Sequence, residues 1–254
     1  MIDIICDTMI WYGLANKTLQ KPDSNKYRLV CTHASLAELA FTPNILTNLP
    51  LVQKAITAIF ENEPKLILQD PLQFFRNNND DITPEPFKVE EDLIFRFLKM
   101  IYQCKDLDEL RHYKDFKDLL SIVEIRKVNK MESVDFYNKL NGISKEIKGT
   151  LKRFFTKEIN QSKFRKKFIF KLNQTSNRQY SSKDINWNFL EFYENMSMGH
   201  DRNMILSQQK QDENDEIDLG IMMYVMPTNK YWTLEKRWLQ LCKQIKLEKY
   251  LYLN

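Results

Sequence analysis

Two short apolar runs near the start of the chain each pass directly into a helical pattern, and this alternation restricts the fold more than any other feature. Ile2 to Cys6 is apolar and β-branched and is ended by Asp7-Thr8, the pattern of a buried strand whose carboxyl end presents an acid. Met9 to Ala15 then starts a helix, with Asp7 or Thr8 available to cap it. Tyr27 to Thr32 reads as a second strand. Ser35 to Phe41 follows as a helix, with Ser35 and Glu38 at capping-box spacing, and Pro43 breaks or bends it. Leu51 to Asn62 is another amphipathic helix. Strand and helix in turn are the pattern of a parallel α/β sheet.

From about Asp70 to Glu90 the character changes. Asn77-Asn-Asn-Asp-Asp81 and Pro84-Glu-Pro86 predict an exposed loop. Val89 to Phe170 then carries helical periodicity with few breakers, for example at Phe95, Leu98, Ile101 and Tyr102 and at Leu119, Ile122 and Val123. Asn173 to Ser182 is loop-like, Trp187 to Met198 helical, Asp212 to Asp218 an acidic loop, and Ile217 to Val225 an apolar helix. Lys230 to Thr233 reads as a strand and Glu235 to Gln244 as a closing helix. The expected organisation is a core split between residues 1–75 and 201–254, with a helical insertion or cap over 76–200.

Composition removes several classes of function. With 5 glycines in 254 residues, the chain holds no glycine-rich phosphate loop of the mononucleotide or dinucleotide type. No two of Cys6, Cys31, Cys104 and Cys242 stand at C-x-x-C spacing, which argues against zinc and for reduced thiols. The opening segment is too short and too acidic for a secretory signal, and no stretch is apolar for long enough to span a bilayer. The expectation is a cytoplasmic protein with no membrane partner. A net charge of +4 is compatible with nucleic acid without requiring it.

Acids recur at one structural address. Asp7 ends the first strand, Asp215 and Asp218 open a helix, and Glu235 follows the last strand. Ligands of open parallel sheets bind beyond the carboxyl ends of the strands, where the chain order reverses. Carboxylates gathered there raise one another's pKa unless a cation neutralises them, and hard ions such as Mg²⁺ prefer that donor set. Each acid also has a local explanation. Asp7 serves as a helix cap, Glu38 as the partner of Ser35, Asp215 and Asp218 as complements to a helix dipole, and Glu235 as a solvated first-turn residue.

Taken in order, the segments resemble the motifs of PIN-domain nucleases. Ile4-Ile-Cys-Asp-Thr8 is similar to the opening strand of that family. Leu36-Ala-Glu-Leu39 is similar to its second motif, a helix bearing a metal-pocket glutamate. Asn214-Asp-Glu-Ile-Asp218 with the following Leu-Gly-Ile-Met-Met is similar to the third. Tyr231-Trp-Thr-Leu-Glu-Lys-Arg-Trp238 is similar to the fourth, which usually carries Asp or Asn where this chain has Glu235. The resemblance implies a PIN-like parallel sheet flanked by helices, a Mg²⁺ or Mn²⁺ cofactor and endoribonuclease activity. It implies that Asp7, Glu38 and Asp218 or Asp215 hold the metal, that Glu235 is the fourth acid, and that Thr8, Asn214 and Thr233 support them. Family analogy adds a toxin or defence role, an antitoxin or inhibitor partner, and room for oligomers. The competing reading is a catalytically inactive PIN-like module that binds RNA or acts as a scaffold. A strand ending in Asp-Thr also opens aspartyl-phosphate enzymes, but a haloacid-dehalogenase pocket expects a second Asp at position 9, where this chain has Met.

Between Lys145 and Lys171 ten basic residues face two acids, with Phe154, Phe155, Phe164, Phe168 and Phe170 interleaved. Such a surface tracks a phosphate backbone; Lys163, Arg165, Lys166 and Lys167, with Lys236 and Arg237, are the candidate RNA contacts. The same spacing fits a helix that buries its Phe face and solvates its Lys face. His33, His112 and His200 are scattered, and His200 is placed outside the acidic pocket more readily than beside it. Trp232 and Trp238 read as core.

Overall fold

A computed structural model describes residues 1–79, 89–125, 160–206 and 214–253. Strand β1 (Ile2–Cys6) runs into helix α1 (Thr8–Ala15), and β2 (Tyr27–Thr32) into α2 (His33–Ala40). Helices α3 (Asn44–Thr47) and α4 (Leu49–Asn62) lead to β3 (Lys65–Ile67), followed by α5 (Pro71–Asn79), α6 (Val89–Gln103) and α7 (Leu107–Arg111). Helices α8 (Gln161–Gln174), α9 (Glu191–Leu206) and α10 (Asp215–Met222) precede β4 (Lys230–Trp232) and α11 (Lys236–Gln244).

The strands form one all-parallel sheet in the order β3-β2-β1-β4. The chain therefore builds outward from β1 through β2 to β3 and later returns to lay β4 on the other side of β1. Ile4 pairs with Leu29 on one side and with Lys230 on the other. The order reverses at β1, so the crevice between the ends of β1 and β4 is the switch point where parallel sheets hold ligands.

Period-2 alternation divides the strands between two apolar layers. Ile4, Cys6, Leu29 and Cys31 face a core with Trp11, Leu36, Val52, Ile56 and, from α6, Phe97 and Ile101. Ile5, Val30, Ile67 and Tyr231 face the opposite core with Phe192, Ile221, Trp238 and Leu241. Ile4, Ile5 and Cys6 are fully buried, which explains why the second half of β1 is a continuous apolar run rather than an alternating one. Truncating Ile5 to Ala would cost about 2–5 kcal/mol. A third cluster joins Phe75 of α5, Phe168 and Leu172 of α8, and Met223.

The α/β expectation holds, with local differences. Helix α2 starts at His33, capped by Thr32, whose hydroxyl accepts from the Ser35 amide at 3.3 Å. Ser35 is thus inside the helix, and its Oγ donates to the Cys6 carbonyl at 3.2 Å, tying α2 to β1. The Ser35–Glu38 capping box does not form, because the cap lies three residues earlier. The expected loop after Asp70 begins as helix α5, since Asp70 Oδ1 accepts from the Leu72 and Gln73 amides at 2.9 and 3.0 Å and Pro71 suits a first helical position. Strand β3 is three residues long and carries too little pattern to be read in advance. Trp187–Leu190 is a 3₁₀ turn that feeds α9. Much of the predicted helical run, residues 126–159, and its basic residues Lys145 to Lys157 lie outside the described residues. Scarce glycine shows at three helix ends, where Lys17, Glu63 and Lys246 adopt positive φ of 57°, 47° and 60°, a conformation that costs a non-glycine residue about 1–2 kcal/mol.

No helix among the described residues is long and apolar enough to cross a membrane.

Candidate metal centre

Asp7 leaves the carboxyl end of β1 and caps α1, its Oδ1 accepting from the Met9 amide at 3.3 Å. Its Oδ2 accepts from Thr233 Oγ1 at 2.6 Å, directly after β4. The Thr233 hydroxyl in turn accepts from the Glu235 amide at 3.1 Å. The two neighbouring strand ends are therefore stitched together by one hydroxyl, which requires the parallel β1–β4 register. Glu235 is the cap residue of α11, and Asp218 sits in the first turn of α10.

These elements bring ligand oxygens of Asp7, Asp218 and Glu235 within 4.8 Å of one another. Asp7 and Asp218 are 1% and 2% exposed, whereas Glu235 is half-buried, so the cluster meets solvent at Glu235. Burial drives the Asp7 carboxyl well above the usual carboxylate range, with Glu38 and Glu235 adding repulsion against the Thr233 hydrogen bond. Burial does the same to Asp218, reinforced by Asp7 and Glu235. Glu38 of α2, half-buried, acts on both. Both values are raised chiefly because burial disfavours the charged carboxylate, and the neighbouring acids add to that.

Arg237 is the resident cation. Its Nε donates to Glu235 Oε2 at 2.6 Å, Nη2 to Asp218 Oδ2 at 3.0 Å, and Nη1 to Asp215 Oδ1. Burial opposes the guanidinium charge, but Asp215, Glu235 and Asp218 outweigh it and raise its pKa. Trp238 Nε1 also donates to Asp218 Oδ2, at 2.9 Å. Asp218 stays raised even with these donors, so burial dominates there.

Of the residues singled out in the sequence, Asp7, Asp218, Glu235 and Thr233 converge, and Glu38 stands within electrostatic range. Asp215 is fully buried but lies outside the clustered three; its carboxylate faces Arg237 and, at 3.4 Å, His200 Nε2. Asn214 supplies the carbonyl that starts α10, accepting from the Ile217 and Asp218 amides at 3.0 Å each. Thr8 Oγ1 is buried with no hydrogen-bond partner among the described residues. Arg237 points into the acids, and Lys236 is exposed on α11.

On α8, Lys166 and Lys167 are exposed and Lys163 half-buried, while Phe168 packs inward and Phe170 is exposed. Arg165 is held at home, with Nε and Nη2 donating to Glu194 at 2.7 and 3.0 Å.

Three contributors were not read from the sequence as part of this site. His200 does lie beside it, stacked at 5.3 Å from Trp238, and burial with the nearby Arg237 charge lowers its pKa to about 4. Trp238 serves as a donor as well as core. The Tyr231 side chain is fully buried, and the Asp7 and Asp218 charges reinforce the effect of burial in raising its hydroxyl pKa. His200 is 15 positions before Asp215, a separation without a local signal. Arg237 sits in a Lys-Arg pair whose simplest reading is a phosphate contact.

Hard oxygen donors, mutual repulsion and a one-sided opening fit a divalent cation of the Mg²⁺ or Mn²⁺ type. No protein-family model, no curated protein and no solved structure matches this chain, so the fold and the acidic cluster carry the functional reading by themselves.

Proposed function

We propose that this protein is a metal-dependent endoribonuclease of the PIN-like type. The observation that carries the reading is the meeting of Asp7, Asp218 and Glu235 oxygens within 4.8 Å at the switch point of a parallel sheet. Asp7 and Asp218 would hold Mg²⁺ or Mn²⁺, with Glu235 at the open side and Glu38 adding negative potential. When bound, such an ion supplies Lewis acidity toward water and phosphate oxygens. The chain's own residues do the rest. Thr233 fixes the Asp7 carboxylate through a 2.6 Å hydrogen bond. Trp238 and Arg237 fix one oxygen of Asp218, which limits the orientations its carboxylate can adopt. Asp215 steadies Arg237, and His200 Nε2 stands 3.4 Å from the Asp215 carboxylate. Exposed Lys166, Lys167 and Lys236 offer sequence-independent contacts to an RNA backbone. A toxin or defence role, held in check by an antitoxin or inhibitor protein, follows from family analogy and is proposed on that basis.

A second reading is favoured by one specific observation. Arg237 already engages Glu235, Asp215 and Asp218, as an internal counter-ion would in a non-catalytic RNA-binding or scaffolding module. RNA cleavage with Mg²⁺ or Mn²⁺, alongside calorimetric titration of Mn²⁺, separates the two. The nuclease reading expects metal-dependent cutting by the wild type and none by Asp7→Asn with its circular dichroism unchanged. Equal cutting by the variant, or no Mn²⁺ binding by the wild type, overturns it.

A further inference from the structure

Beside the acidic cluster, and sharing Arg237 with it, a pocket opens between α9 and α11, with a volume of about 240 Å³. Its walls follow helical spacing: His200, Asn203 and Met204 on α9, and Arg237, Gln240, Leu241 and Gln244 on α11. Met204 and Leu241 are buried and make an apolar floor. Gln240 and Gln244 are exposed at the rim, and Asn203 Nδ2 donates to Gln244 Oε1 at 3.4 Å, a weak contact that a ligand can replace. Arg237 is the wall shared with the metal centre, since the same guanidinium touches Asp218 and Glu235.

The lining chemistry selects against an anion. Asp215 forms part of the inner end, and Arg237 is committed to three carboxylates. The remaining polar groups are the side-chain amides of Asn203, Gln240 and Gln244, which offer donors and acceptors together, and the His200 imidazole. A neutral, flat ligand with hydrogen-bonding edges suits an apolar floor beneath an amide rim. Nucleobases have that character, and single-stranded RNA presents them unstacked to side chains that read their edges. We propose that this pocket receives one base of the RNA strand next to the phosphodiester at the metal centre, so that Asn203, Gln240 and Gln244 set a base preference. This rests on the endoribonuclease reading for the identity of its ligand.

The test uses the full chain and reads binding separately from cleavage. Four homotrinucleotide RNAs, and the matching nucleoside monophosphates, are titrated while the side-chain amide NMR signals of Asn203, Gln240 and Gln244 are followed. One trinucleotide is expected to shift these signals saturably and to bind at least as tightly as its monophosphate. Asn203→Ala and Gln244→Ala should each weaken it by about tenfold, with Mn²⁺ binding unchanged. Absence of any saturable shift in the wild type overturns the proposal. So do unaltered affinity in both variants, or a monophosphate that binds more tightly than every trinucleotide. Base binding without cleavage supports the pocket and sinks the nuclease reading; cleavage without a shift of these amides does the reverse.

Discussion

Glu194 and the acids around Arg237 are both buried carboxylate sites served by arginine, yet their charge balance differs. Glu194, 2% exposed, receives Arg165 through two nitrogens and Gln161 Nε2 at 3.2 Å, while the guanidinium lies 4.4 Å over Trp187. One acid meets one base, and the pair stays closed. At the strand ends one guanidinium serves Glu235, Asp215 and Asp218, with Asp7 and Glu38 beside them. A closed pair joins α8 to α9. An acid excess that faces an opening is kept at a cost in stability, and a cation is the natural means of offsetting it.

The contrast can be broken most directly at Asp7. Asp7→Asn should lower RNA cleavage by roughly 10³-fold, whereas Glu194→Gln should leave the rate within about twofold because that carboxylate is paired with Arg165 and is not one of the three gathered acids. Similar losses in both variants would erase the distinction.

Stability against pH sharpens it. Asp7 and Asp218 have folded-state pKa values raised above their unfolded values. Their protonated forms therefore stabilise the fold fully below the ordinary carboxylate range, and that contribution is lost as pH climbs through the raised values. Metal-free protein should melt at progressively lower temperature from about pH 5 to about pH 8. Mn²⁺ at 100 times its Kd should restore about 2.7 kcal/mol at the alkaline end, and Asp218→Asn should shrink that gain. Melting temperatures that ignore both pH and Mn²⁺ would mark the cluster as balanced.

The closed pair should behave in the opposite sense. Arg165→Ala strands a buried Glu194 and should cost about 2 kcal/mol, near 6 °C in Tm, below the cost for a fully enclosed pair because Arg165 is 28% exposed. Mn²⁺ should not rescue it. Glu235→Gln is expected to be milder than Asp7→Asn, about tenfold in cleavage, since its carboxylate sits at the open side with 26% exposure. The smallest effect belongs to α8: replacing exposed Lys166 or Lys167 by Ala should reduce the salt dependence of RNA binding by about one unit of log–log slope each.

The sequence by itself determined the layered architecture. Ile2–Cys6 and Tyr27–Thr32 are apolar enough to lie between two layers of helices, and their alternation with amphipathic helices dictates parallel strands. It also marked Asp7, Asp218 and Glu235, because residues just past strand ends and in first helical turns carry local signals of polarity and capping. Helix α5 was legible in principle from Asp70-Pro71, though the Asn-rich stretch that follows outweighed that start.

Tertiary structure decided which charges face one another. Whether Arg237 meets phosphate or carboxylate depends on the approach of α10 to α11, and whether His200 joins the site depends on how α9 crosses behind them. Thr233 reaches Asp7 across 226 positions of chain. Coulomb and hydrogen-bond energies depend on separation in space and on local burial, while helix and strand patterns repeat over a few residues. Local periodicity therefore carries the elements, and only their packing sets the charge balance at the strand ends.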